Sequence, residues 1–235
     1  MNLPFFFKEN LDTDNSVITL DDESSKHIVQ VLRMKPGEML QLTDGKGNLV
    51  TAEIVNDHKK KCEVQITQKK FKPSLTRQVS IAISLLKNSS RFEWFLEKAI
   101  ELGISEIIPM ICERTEKQHF RYERMKSICT SAMLQSQQVW LAKLHEPKQF
   151  IDIFENINNQ QKFIAHCNDT QKSHIIDSAD RSVERQIIFI GPEGDFTTKE
   201  IEIAIKHSCF PVSLGETRLR SETAGVVAAA ILMIH

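Results

Sequence analysis

With 235 residues, 41% of them hydrophobic and 26% charged, the chain has the composition of a soluble globular protein and length for one core plus a smaller satellite. The formal charge of -1 gives no global pull toward nucleic acid, and the five scattered cysteines, without a CxxC pair, argue against a disulfide framework or a structural zinc site. Residues 1–10 carry neither a basic leader nor a sustained apolar run, so no secretion signal or membrane span is expected and the cytoplasm is the expected location.

Short apolar or β-branched runs at 4–7, 16–20, 39–43, 49–55 and 61–67 predict strands, with Asp44-Gly45-Lys46-Gly47-Asn48 a strong turn between two of them. Residues 24–32 place His27, Ile28, Val31 and Leu32 at helical spacing, and Pro36-Gly37 ends that segment. Together these elements predict a small β-barrel with one helix. Between residues 58 and 72 six lysines stand against one acid, Glu63. A phosphate backbone would be attracted there, and a solvated edge strand guarded by lysines fits equally well. Lys72-Pro73-Ser74 reads as a linker.

From Gln78 onward strands and helices alternate. Strands are expected at 79–86, 106–111, 162–165, 186–190 and 210–214, and helices at 91–102, closed by Gly103, and at 120–134, 198–207 and 222–234. A shorter helix is expected at 150–154, begun near Pro147. This alternation predicts an α/β domain with a mostly parallel sheet.

Two glycine turns follow two of those strands. Ile190 ends an apolar strand, Gly191, Pro192 and Gly194 turn the chain, and Thr197 with Glu200 forms a capping box for the next helix. Leu214-Gly215 ends the second strand, Arg218 and Arg220 follow, and Ser221 is placed to cap the helix that starts at Glu222. Arginines beside a helix N-terminus favour anions. Glu222 either complements the helix dipole or orients Arg220. The spacing matches neither a phosphate-binding P-loop nor GxGxxG. Open α/β sheets bind ligands at the carboxyl ends of their strands, so the two turns predict one ligand crevice.

The segments IGPEGDFTTKEIE and SLGETRLRSETAG together resemble the C-terminal signature of the RsmE family, methyltransferases of small-subunit ribosomal RNA. The likeness extends over most of the chain. His27-Ile28-Val29-Gln30-Val31-Leu32-Arg33, Pro36-Gly37-Glu38 and Asp44-Gly45 are similar to the family's PUA-like domain. Lys98 to Ile104, Ile108-Pro109, Glu113-Arg114, Ser131-Ala132 and Gln135-Ser136 are similar to its methyltransferase domain. The chain departs from the family pattern at Thr217, Gln138, Ala142 and Asp195, where arginine, arginine, proline and glycine are frequent.

The resemblance implies an α/β fold in which a SPOUT-like domain with a deep trefoil knot, 73–235, follows a small PUA-like β-barrel, 1–72. It implies a homodimer, S-adenosyl-L-methionine as methyl donor, and N3 of a uridine in 16S ribosomal RNA of the small subunit as acceptor, with no metal. Ile190, Gly191, Glu193 and Gly194 would form one donor loop and Leu214, Gly215, Leu219 and Arg220 the other. Uridine N3 carries a proton, so Arg220, or Arg114, would stabilise charge developing on the base oxygens. An arginine stays protonated, which leaves water, hydroxide or Glu222 to take that proton. His27, Arg33, Lys87, Arg91, Lys98, Arg114 and Arg218 are the residues expected to contact RNA. A noncatalytic RNA-binding or assembly protein is the alternative of a different class, and a nucleotide-dependent metabolic enzyme a third.

Overall fold

Alternating buried and half-exposed positions along residues 39–54 fold the first part of the chain into a curled sheet over one apolar core. In the computed structural model, which describes residues 3–13, 15–157, 161–168 and 172–234, its strands are β1 (Phe5–Phe7), β2 (Val17–Thr19), β3 (Met39–Thr43), β4 (Asn48–Asn56) and β5 (Glu63–Phe71). They pair in the order β1-β3-β4-β5-β2, and Leu40, Leu42, Val50, Ala52, Ile54 and Val64 fill the core. The run 24–32 is not one α-helix. Asp21 accepts from the Ser24 amide and starts α1 (Asp22–Lys26) early, and a π-turn (His27–Val31) follows, in which Leu32 N–H bonds the His27 carbonyl.

The lysine-bearing β5 pairs with β2 at Glu63–Gln65, bonds Ser16 through Ile66 N–H and pairs with β4 along its length, so among the described residues no strand pairs with the other side of its second half. The segment Met133–Leu141 groups with this first unit, which runs to Ser74. Its bonds explain the grouping: Gly47 N–H donates to the Val139 carbonyl, Leu141 N–H to Gly45, and the Trp140 indole to Lys72.

The second unit, Leu75–Ala132 with Ala142 onward, is built on a parallel sheet. Its elements are β6 (Gln78–Ser84), α2 (Ser89–Glu101), β7 (Glu106–Ile111), α3 (Tyr122–Gln135), β8 (Lys143–Leu144), β9 (Lys148–Gln149), β10 (Gln161–Ala165), β11 (Ser173–His174), α4 (Ile175–Ser178), β12 (Arg185–Ile190), α5 (Thr198–Lys206), β13 (Cys209–Ser213) and α6 (Ser221–Ile234). The strand order is β11-β13-β10-β12-β6-β7-β8, with β9 also on β7, and each of these pairings is parallel.

Near-continuous burial of β6 and β12 is what a sheet covered on both faces requires. On one face Phe150, Phe154, Phe189 and Phe196 pack together with Ile201 and Ala204 of α5. Elsewhere α6 lies so close to α2 that a Cβ on Gly225 would fall 2.6 Å from the Phe95 ring. The stretch after Pro147 begins as strand β9, because its backbone pairs with β7; a 3-10 turn (Ile151–Asn156) follows where a short α-helix was expected. No helix among the described residues is long and apolar enough to cross a membrane.

Candidate active site

The carboxyl ends of β10, β12 and β13 lie side by side, and the chain leaving each of them walls a cleft of about 580 Å³. That lies inside the roughly 300–1,000 Å³ range of small-molecule sites. The first wall is the turn after β12. Gly191 is tight because the buried Phe196 ring stands 3.1 Å from where its Cβ would be. Asp195, where the family often has glycine, takes φ +64, a left-handed conformation that asparagine and aspartate tolerate best after glycine. Its carboxylate accepts from its neighbour Phe196 N–H at 2.8 Å and from Cys167 N–H at 2.9 Å, so it ties this turn to the end of β10. The capping box is formed: Thr197 Oγ1 accepts from Glu200 N–H, and the Glu200 carboxylate accepts from Thr197 N–H at 2.8 Å.

Ile190, Gly191 and Glu193 line the cleft. Gly194 lies just outside it, and its carbonyl accepts from Arg114 Nη1 at 2.7 Å. Arg114 therefore packs on the back of the turn and positions it. Glu193 accepts from the Lys87 backbone N–H at 3.1 Å, while the Lys87 ammonium pairs with Glu116 at 2.7 Å, a bond that raises the lysine's pKa.

The second wall contains Leu214, Gly215, Leu219 and Arg220, with Arg218 beside them. Gly215 has φ +144 and nothing within 4 Å of its missing Cβ, so a ligand can approach the backbone there. The Arg220 carbonyl accepts from Ala224 N–H at 2.7 Å, which places Arg220 at the cap; Ser221 is already inside α6, contrary to its expected capping position. Glu222 points away from the cleft. It is buried, and Oε1 stands 3.6 Å from Arg91 Nε, so it pairs with α2 and does not orient Arg220.

Sequence reasoning missed the third wall. His166 and Cys167 follow β10, and Lys172 donates to the carbonyls of His166 and Asn168. His166 is buried with both ring nitrogens unpartnered among the described residues, and burial together with Lys172 holds its pKa below the ordinary value. Two buried imidazole nitrogens without a protein partner suit this wall to a polar ligand group. A lone His-Cys pair has no spacing signal; its place at a strand end was the available clue.

The remaining expected RNA contacts are dispersed. His27 sits edge-on to Phe6, with centroids 5.7 Å apart, and Arg33 has φ +57 on the exposed surface of the first unit. Lys98 is engaged by Glu97 and Glu101 at 2.7 and 3.0 Å.

Residues 73–233 match the RNA methyltransferase domain, and residues 20–67 match the RNA methyltransferase PUA domain. Fold and crevice thus define an RNA methyltransferase of two parts. The chain is 28% identical to the ribosomal RNA small subunit methyltransferase E of Buchnera aphidicola, covering 97% of this chain and 91% of that one. It is 30% identical to the protein of that name from Synechocystis, covering 92% and 72%. A probable rRNA-methyltransferase from Porphyromonas gingivalis superposes with a TM-score of 0.89 at 34% identity, over 97% of this chain and 95% of that one. The Neisseria gonorrhoeae ribosomal RNA small subunit methyltransferase E bound to S-adenosyl methionine gives 0.87 at 26%, over 97% and 96%. The chain belongs to the ribosomal RNA small subunit methyltransferase E family.

Proposed function

We propose that this chain transfers a methyl group from S-adenosyl-L-methionine to N3 of a uridine in 16S ribosomal RNA of the small subunit, as a cytoplasmic homodimer. The observation that carries the reading is the convergence of both glycine turns and the end of β10 on one cleft with Arg218 and Arg220 on its wall. The cleft suits the donor on its own geometry: the unpartnered His166 imidazole and the open backbone at Gly215 are what a nucleoside-bearing ligand would satisfy. When bound, that donor supplies a methyl group already activated on a sulfonium.

The protein's task is to align the acceptor with the donor methyl and manage one proton. Arg220 stabilises charge developing on the uracil oxygens. Arg114 acts through its bond to Gly194, as a positioning residue. Glu222, turned toward Arg91, is badly placed to take the N3 proton, so water or hydroxide entering the cleft is the better acceptor.

Two further features of the family are part of this reading. β10 and β11, consecutive along the chain, flank β13 in the sheet, so the later strand β13 inserts between two strands that precede it; this supports the deep trefoil knot, against the general rarity of threading. For the dimer, α6 buries Gly225, Ala228, Ala229 and Leu232 inward and leaves Val226, Val227 and Ile231 half-covered on other faces, apolar surface suited to a second copy.

Incubation with labelled donor and small ribosomal subunits lacking the modification should place one methyl on a uridine N3, located by mass mapping. Arg220→Ala should lower transfer roughly 100-fold or more. Arg114→Ala should give a smaller loss accompanied by weaker donor binding. Donor binding without transfer would instead favour a noncatalytic RNA-binding protein.

A further inference from the structure

β5 ends on Phe71, which is 59% exposed, and Trp140, 37% exposed, stands edge to face against it with ring centroids 6.1 Å apart. The pair is held rigidly. The Trp140 indole donates to the Lys72 carbonyl at 2.9 Å, its backbone bridges to Lys46, and Gly47 admits both rings where a Cβ would fall within 2.8 Å of each. Beside Phe71 lies a shallow cleft of about 160 Å³ walled in part by Asn48, Leu49, Lys69 and Lys70. It is smaller than the roughly 300–1,000 Å³ of ordinary small-molecule sites, so a single flat ring is the fitting occupant. Lys46, Lys69, Lys70 and Lys72 lie along these segments, and the sequence holds no carboxylate between Val64 and Arg77.

We propose that Phe71 and Trp140 form a stacking platform for one unpaired RNA base, with these lysines on the flanking phosphates. The inference rests on the RNA substrate proposed above and adds where that RNA is gripped outside the methyl-transfer cleft. Charge decides the occupant. Lys69, Lys70 and Lys72, with no carboxylate among them in the sequence, match a phosphate backbone, whereas an apolar protein partner would have to desolvate them; Asp44, beside Lys46, is buried and turned to the Lys46 and Asn48 amides. Rigid aromatic rings accept any base face, and the lysines supply the salt-dependent remainder.

The test is fluorescence anisotropy with a labelled single-stranded RNA and with small ribosomal subunits lacking the modification, in a Trp94→Phe background where Trp140 is the remaining tryptophan. Phe71→Ala should weaken RNA affinity about tenfold, Phe71→Tyr should retain it, and Trp140 emission should be quenched by RNA. Donor affinity, measured by calorimetry, should be the same in all three proteins. RNA affinity unchanged in Phe71→Ala, or a change of oligomeric state in place of RNA affinity, would overturn the platform. Methyl transfer by the unsubstituted chain reports separately on the proposed activity.

Discussion

Cys167 is the exposed thiol of the five, on the wall of the cleft, and the other four are buried. Burial pushes the Cys62 thiol up to about 11 and those of Cys129 and Cys209 up to about 12, with Cys112 higher still. Thiolate is the reactive form, so one thiol per native chain should react with a maleimide at neutral pH. S-adenosylmethionine or its demethylated product should slow that reaction at Cys167. Mass spectrometry of labelled peptides checks both statements, and equal labelling with and without saturating ligand would remove Cys167 from the ligand's surroundings. At this scale the sequence disclosed backbone requirements well: the glycines of both turns and the Thr197–Glu200 box lie where local spacing put them. It did not disclose His166 or the turning of Glu222 toward Arg91, because side-chain partners far apart in the chain leave no local pattern.

Between elements, the contact of α6 with α2 depends on an absent side chain. An alanine in a helix interior ordinarily stabilises it by about 1 kcal/mol relative to glycine. At Gly225 the new methyl would lie 2.6 Å from the Phe95 ring and 3.2 Å from Ile83, so overpacking reverses the sign. Gly225→Ala should destabilise the protein by about 1–3 kcal/mol in urea unfolding, and a stabilised variant would show that α6 is free to shift. The long elements of the second unit were legible because their apolar periods run through seven or more residues, as in β6 and α2. The two-residue strands β8, β9 and β11 were not, since pairing with a neighbour defines them and too few residues carry a pattern.

For the molecule as a whole, with acidic and basic residues nearly balanced, acid stability turns on particular partly buried carboxylates that gain partners on folding. Glu106 of β7 is one. Burial pushes its carboxyl up, but hydrogen bonds from His145 at 2.5 Å and Ser80 at 2.8 Å, with the charge of Lys143, outweigh it and hold the pKa below its ordinary 4.5. A depressed carboxylate contributes stability that is complete above the ordinary value and disappears as the pH falls through the folded one. Unfolding free energy should therefore fall more steeply below about pH 4.5 in the parent chain than in Glu106→Gln. Parallel acid limbs in denaturation measurements would contradict that role.

The sequence by itself determined the alternation that makes a parallel sheet, the two turns that end its central strands, and the family those turns belong to. The alternation and the turns follow from backbone preference and hydrophobic period, which neighbouring residues carry among themselves, and the family from the likeness of the residues at those turns to its signature. Tertiary structure decided the rest. It grouped Trp140 with the first unit, brought His166 and Cys167 into the wall of the cleft, and turned Glu222 inward. Each depends on which side chain meets which void once distant strands have paired, and that is a property of packing.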